Sequence, residues 1–183
     1  VVIDESGSMR WQDRAVYARA AAIILYDFCH SLHIPIAIYG QSTDRNFANQ
    51  GVEIYSYAEF DSIDLNDKYR LMDIHPRSNS RDSVPVRFVA ERLLKRPESE
   101  KILIVFSDGQ PEAFGYSGKP AYDDLSMTAR EYIRKKIHII AAAIGDDKPA
   151  IENIYGDAFM NISNLKDIPK LLTDRIKKFL PVR

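Results

Sequence analysis

Two short runs, ILIVF (102–106) and IHIIAAAI (137–144), constrain the fold more than anything else in the chain. Both are apolar almost without interruption, so neither can be a strand with one face in water. Strands of this kind belong to parallel sheets covered on both sides. Further strands are expected at VVI (1–3), IPIAIY (34–39), VEIYSYA (52–58) and AFMNI (158–162). Helical patterns alternate with them over 14–32, 84–95, 123–136 and 168–180. In the second, Ser83 is expected as N-cap and Pro85 sits in the first turn; in the third, Asp123 and Asp124 open the helix. In the last, Asp167 is expected as N-cap, with Leu171, Leu172, Ile176 and Phe179 buried. Alternation of this sort implies an α/β doubly wound, mostly parallel sheet with helices on both faces. The polar, turn-rich segment between the second and third strands holds no helix, so the third is expected as an antiparallel edge strand.

The 183 residues suffice for one domain with a substantial core, and the whole of 1–183 is read as a single domain. Because Val1 already has strand character, that domain is expected to be the C-terminal part of a longer protein. With 25 basic and 26 acidic side chains the net charge is −1, so no strong field draws the chain to nucleic acid. Neither nucleic-acid binding nor membrane insertion is expected, and a single cysteine, Cys29, suits a reducing, cytoplasmic setting.

The chemistry concentrates in VVIDESGSM (1–9), where a buried strand runs straight into Asp4, Ser6 and Ser8. Carboxylate and hydroxyl oxygens are hard ligands suited to Mg²⁺ and similar ions. At a strand end, where the chain turns, all three can face one cavity, with Gly7 easing the turn. A lone serine there is most often a helix cap, but the complete D-x-S-G-S-M pattern is more specific. It resembles the metal-ion-dependent adhesion site of von Willebrand factor type A domains, and the resemblance spans essentially the whole chain. It implies a six-stranded sheet with one antiparallel edge strand and a site built from three loops.

Asp108 in SDG, just past ILIVF, matches the second acidic motif of that family, whose aspartate reaches the metal through water. The middle loop of the family offers a threonine. Here SNSRDSVP has none, so Ser80 is aligned with it and Asp82 is the alternative ligand. The implied ligand set is therefore Asp4, Ser6, Ser8, Ser80 and Asp108, with a divalent cation: Mg²⁺ foremost, Mn²⁺ or Ca²⁺ otherwise. The loop 108–124, with Tyr116, Gly118, Asp123 and Asp124, resembles a bacterial subgroup that includes the nitric oxide reductase activation protein and the cobalt chelatase subunit. That resemblance implies a MoxR-type AAA+ ATPase as partner. A protein partner offering an Asp or Glu to the metal is expected, in a binding module and not an enzyme. A metal-dependent hydrolase or phosphatase is the alternative, weakened because only His75 and Lys119 offer a base in these loops.

Other features carry less. His30 and His33 share a helix face, but two ligands do not close a zinc site. Gly118-Lys119-Pro120 lacks the upstream glycine and the Ser/Thr of a phosphate loop. Phe114, Tyr116 and Tyr122 are either loop packing or a partner-facing surface.

Overall fold

The computed structural model describes residues 1–44, 51–62, 64, 66–144, 148–162, 170–171 and 173–174. Six strands form one sheet: β1 (Val2–Asp4), β2 (Ile38–Thr43), β3 (Val52–Ala58), β4 (Lys101–Ser107), β5 (Ile137–Ile144) and β6 (Phe159–Ile162). Their order is β3-β2-β1-β4-β5-β6. Each neighbouring pair is parallel except β2–β3, which is antiparallel, as the helix-free connection implies.

Alternate residues of the central strands feed two separate cores. Ile104, Phe106, Ile140 and Ala142 pack on one face with Ala18, Ala21, Ala22 and Leu25 of α1 (Arg14–Ser31). After the short α2 (Asp67–Arg70) come α3 (Ser83–Leu94), α4 (Gly118–Arg134) and α5 (Lys148–Tyr155), which cover the other face. There Leu103, Val105, Ile139 and Ala141 meet Val86, Val89, Leu125, Ala129, Tyr132, Ile151 and Ile154. Two-sided coverage is why ILIVF and IHIIAAAI carry no polar alternation.

Several boundaries differ from the sequence reading. β2 starts at Ile38, not 34: Ile34 N–H instead donates to Cys29 O, closing the end of α1. The strand then runs on through Gln41, Ser42 and Thr43, which are polar yet buried because they face the site loops. α3 begins at Ser83 with Asp82 in the N-cap position. The Ser83 hydroxyl does not cap; it accepts a hydrogen bond from Tyr116 OH at 3.1 Å. α4 begins at Gly118, five residues before Asp123, because Ser117 provides an extended N-cap and Pro120 is tolerated in the first turn. The two acids lie further in, Asp123 paired with Lys119 and Asp124 accepting from Tyr116 OH. α5 has no counterpart among the expected elements; among its described side chains Ile151, Ile154 and Tyr155 are the buried ones. The closing helix expected over 168–180 lies for the most part outside the described residues, as do Asp167, Leu172, Ile176 and Phe179. Leu171 is described and packs against the α1 core.

One glycine inside β2 connects this frame to the site. A Cβ at Gly40 would stand 1.7 Å from Glu5 Oε1 and 2.8 Å from the Tyr57 ring. Both neighbours are buried and held, so Gly40→Ala is expected to destabilise the domain by about 1–3 kcal/mol, the usual cost of overpacking. Urea unfolding with and without Mg²⁺ checks this; wild-type stability would show that Glu5 is free to move aside.

Candidate metal centre

β1 and β4 lie side by side, and their following loops leave the sheet at the same edge. In a doubly wound sheet this is the switch point where ligands bind. The chain ties three loops together there through the backbone. Gly7 N–H donates to Ser78 O at 2.6 Å, Arg77 N–H to Glu5 O at 2.6 Å, and Ser80 N–H to Glu112 O at 2.9 Å. Gly7 is not required for its backbone freedom, contrary to the sequence-based reason: a Cβ there would make an ordinary 3.5 Å contact with Ser78 O. Gly109 is the glycine that matters. Its φ is +77°, and a Cβ would meet Ile151 Cγ1 at 2.4 Å.

All of the expected site residues converge. Asp4 Oδ1 accepts from Ser6 N–H at 2.7 Å, and the Ser6 and Ser8 hydroxyls share a hydrogen bond at 2.9 Å. Ser80 Oγ donates to Asp82 Oδ2 at 3.0 Å, so both middle-loop candidates are present together. Asp108 Oδ1 accepts from Gln110 N–H at 3.2 Å, and its Oδ2 from Arg14 Nη1 at 2.9 Å. Asp4, Asp82 and Asp108 are 1%, 3% and 0% exposed, so three carboxylates have been taken out of water within one cluster.

That burial is electrostatically unfavourable, and the acidities show it. Burial, then the charges of Asp82 and Asp108, push Asp4 well above the ordinary carboxylate value. Asp82 is pushed up to about 6, again first by burial, with the Ser80 hydrogen bond opposing and the Asp108 charge adding.

Besides Arg14, two groups not anticipated from sequence complete the arrangement. Gln41, fully buried near the end of β2, donates from Nε2 to Asp4 Oδ1 at 3.2 Å and to Asp82 Oδ1 at 3.1 Å. Its own Oε1 is buried with no hydrogen-bond partner among the described residues. A polar residue near the end of an otherwise buried strand was the available signal. Glu5, between Asp4 and Ser6, points the other way. It accepts from Tyr57 OH of β3 and from Arg77 Nε, both at 2.6 Å. Arg77 in turn lies 3.9 Å over the Tyr55 ring. The loop carrying the serines is therefore anchored to the edge strand.

Among the described residues no three carboxylate, imidazole or thiolate groups form a cage by themselves, so a cation here depends on the serine hydroxyls too. The donor set fits a hard divalent ion: three buried carboxylates with a guanidinium contact to Asp108, three hydroxyls and an orphaned amide oxygen. His30 stacks on Tyr26 at 6.0 Å and joins no such group. Of the three loop aromatics, Tyr116 and Tyr122 pack into the fold, while Phe114 is exposed.

No family model matches the chain. The uncharacterized protein YojO of Bacillus subtilis is 26% identical over 190 residues, covering 98% of this chain, which spans 29% of that protein's length. Among solved structures, proximal thread matrix protein 1 of the mussel byssus, with zinc in its MIDAS motif, superposes with a TM-score of 0.63. It is 18% identical and covers 96% of this chain and 46% of that one. The von Willebrand domain of the type V pili tip protein Mfa5 from Porphyromonas gingivalis gives 0.64, at 12% identity, with coverage of 100% and 95%. BatB from Bacteroides thetaiotaomicron gives 0.61 at 14% identity, covering 96% of this chain and 97% of that one. The fold is that of the von Willebrand type A domains.

Raised pKa values have a definite sign in stability. Because folded Asp82 binds its proton more tightly than the unfolded chain, cation-free stability falls as pH rises through about 6. In EDTA at pH 7.5, Asp82→Asn is expected to raise stability, on the order of 2 kcal/mol, and to leave it nearly unchanged at pH 4. Thermal unfolding at both pH values checks this. Mg²⁺ affinity is expected to weaken from pH 7.5 to 5 as the carboxylates take up protons, measured by calorimetry.

Proposed function

We propose that this chain is a divalent-cation-dependent protein-binding domain. The observation that carries this reading is the burial of Asp4, Asp82 and Asp108 in one cluster, with the Arg14 guanidinium hydrogen-bonded to Asp108. Folding thereby leaves negative charge that a cation offsets. Asp4, Ser6, Ser8 and Ser80 would hold it, with Asp108 and Asp82 behind or beside them. Once bound, the ion supplies an electrophilic coordination position for the Asp or Glu of a partner. The zinc-bearing MIDAS motif of the mussel protein supports a divalent ion. With oxygen donors throughout, Mg²⁺ is proposed before zinc, and Mn²⁺ or Ca²⁺ after it.

Binding is proposed in place of turnover. Of the two bases near the loops, His75 Nδ1 bonds to Asp73 O at 2.5 Å, and Lys119 pairs with Asp123 at 2.6 Å. Neither contact activates Ser6 or Ser8, and the hydrolase reading gains no specific support. A cytoplasmic setting is proposed on the single free cysteine; no described helix is long and apolar enough to cross a membrane.

The finer reading is that the domain serves a bacterial accessory protein which, with a MoxR-type AAA+ ATPase, activates or loads a cofactor into a client such as nitric oxide reductase. It rests on sequence resemblance, chiefly that of the 108–124 loop. Affinity capture with the full-length protein in Mg²⁺ tests both levels. A partner set lost in EDTA and lost with Asp4→Ala is expected, with an AAA+ ATPase in it. Capture that persists unchanged with Asp4→Ala would sink the metal-bridged mechanism, and a metal-dependent set without the ATPase would sink the finer reading. Phosphate- or carboxyl-ester turnover abolished by Asp4→Ala would replace binding with hydrolysis.

A further inference from the structure

The Arg14 guanidinium reaches into the carboxylate cluster from the first residue of α1. Its Nη1 lies 2.9 Å from Asp108 Oδ2, with the two side chains 8% and 0% exposed. The chain adopts an unfavourable backbone to deliver it: Gln12 and Asp13, immediately before, have φ of 55° and 56°, in the left-handed region that L-residues avoid.

We infer that Arg14 is an internal counter-cation that sets how tightly the site holds a divalent ion and how receptive the loaded site is to a partner's carboxylate. The inference rests on the reading of the cluster as a cation site. The charge difference carries it. The guanidinium beside Asp108 adds one positive charge to a cluster of three buried carboxylates. Removing it leaves the site, loaded or empty, more negative by one and less receptive to an incoming Asp or Glu. Arg14 therefore exchanges cation affinity for acceptance of an acidic ligand. It also repels the ion directly, over a few ångströms in a buried setting where charges are weakly screened. Arg14 is in this sense a positioning and affinity-setting residue, acting on the cation through Asp108 and through its own field.

Mn²⁺ binding followed by electron paramagnetic resonance tests this, with no partner needed. Arg14→Gln is expected to bind Mn²⁺ at least tenfold more tightly than wild type, whereas loss of a purely structural contact would weaken binding. Arg14→Lys, which keeps the charge, is expected to stay within about threefold of wild type. Should Arg14→Gln fail to fold in EDTA, the pair Asp108→Asn and Arg14→Gln/Asp108→Asn gives the same comparison without an unpaired buried carboxylate at position 108. There the double variant is expected to bind more tightly than Asp108→Asn alone. Equal or weaker Mn²⁺ binding on removal of Arg14 in the folded variants overturns the inference and leaves the cation site standing. Failure of the wild type itself to bind Mn²⁺ overturns the cation-site reading, and this inference with it.

Discussion

The cost of holding Asp4, Asp82 and Asp108 in one buried cluster governs the architecture around it. Buried carboxylates must be solvated by something, and here almost every neighbour is a donor. Ser6 N–H, Gln110 N–H, Ser80 Oγ, Gln41 Nε2 and Arg14 Nη1 all point at them. These donors come from the loops after β1 and β4, from β2, the middle loop and α1, so the demand of one cluster recruits elements far apart in sequence. The parallel β1–β4 pair makes this possible, because both strands end at the same edge and release their loops into the same space.

The two faces of the sheet were legible from composition alone, because continuous apolar strands have one structural solution. Asp4, Ser6, Ser8 and Asp108 were legible because they sit directly at strand ends, where position in the chain almost determines position in space. Ser80 and Asp82 could not be separated, and the structure explains why: they are hydrogen-bonded to each other and both belong to the cluster. Gln41, Glu5 and Arg14 escaped notice for a different reason. Their roles depend on which strands lie side by side and on which way a loop side chain turns, and neither is written in local periodicity. α5 was lost because eight residues with three apolar anchors give too weak a pattern to stand out.

Glu5 shows how much of a binding loop can lie outside its motif. In D-E-S-G-S-M it stands at the unspecified position of the D-x-S-G-S-M pattern, yet it is 0% exposed. Its two oxygens join Tyr57 of the antiparallel edge strand and Arg77 of the middle loop, and Arg77 N–H returns a hydrogen bond to Glu5 O. The edge strand is thereby linked to the serine loop by side chains as well as through the sheet.

A practical consequence concerns modularity. Gly40 leaves open the space that the Glu5 carboxylate fills, and Tyr57 closes it from the next strand. The serine loop is thus keyed into a socket formed by β2 and β3. Transplanting D-E-S-G-S-M alone onto another doubly wound scaffold would carry the ligand oxygens but not the lock that orients them. The smallest transferable unit is the loop together with its two-stranded antiparallel edge and Arg77 of the middle loop.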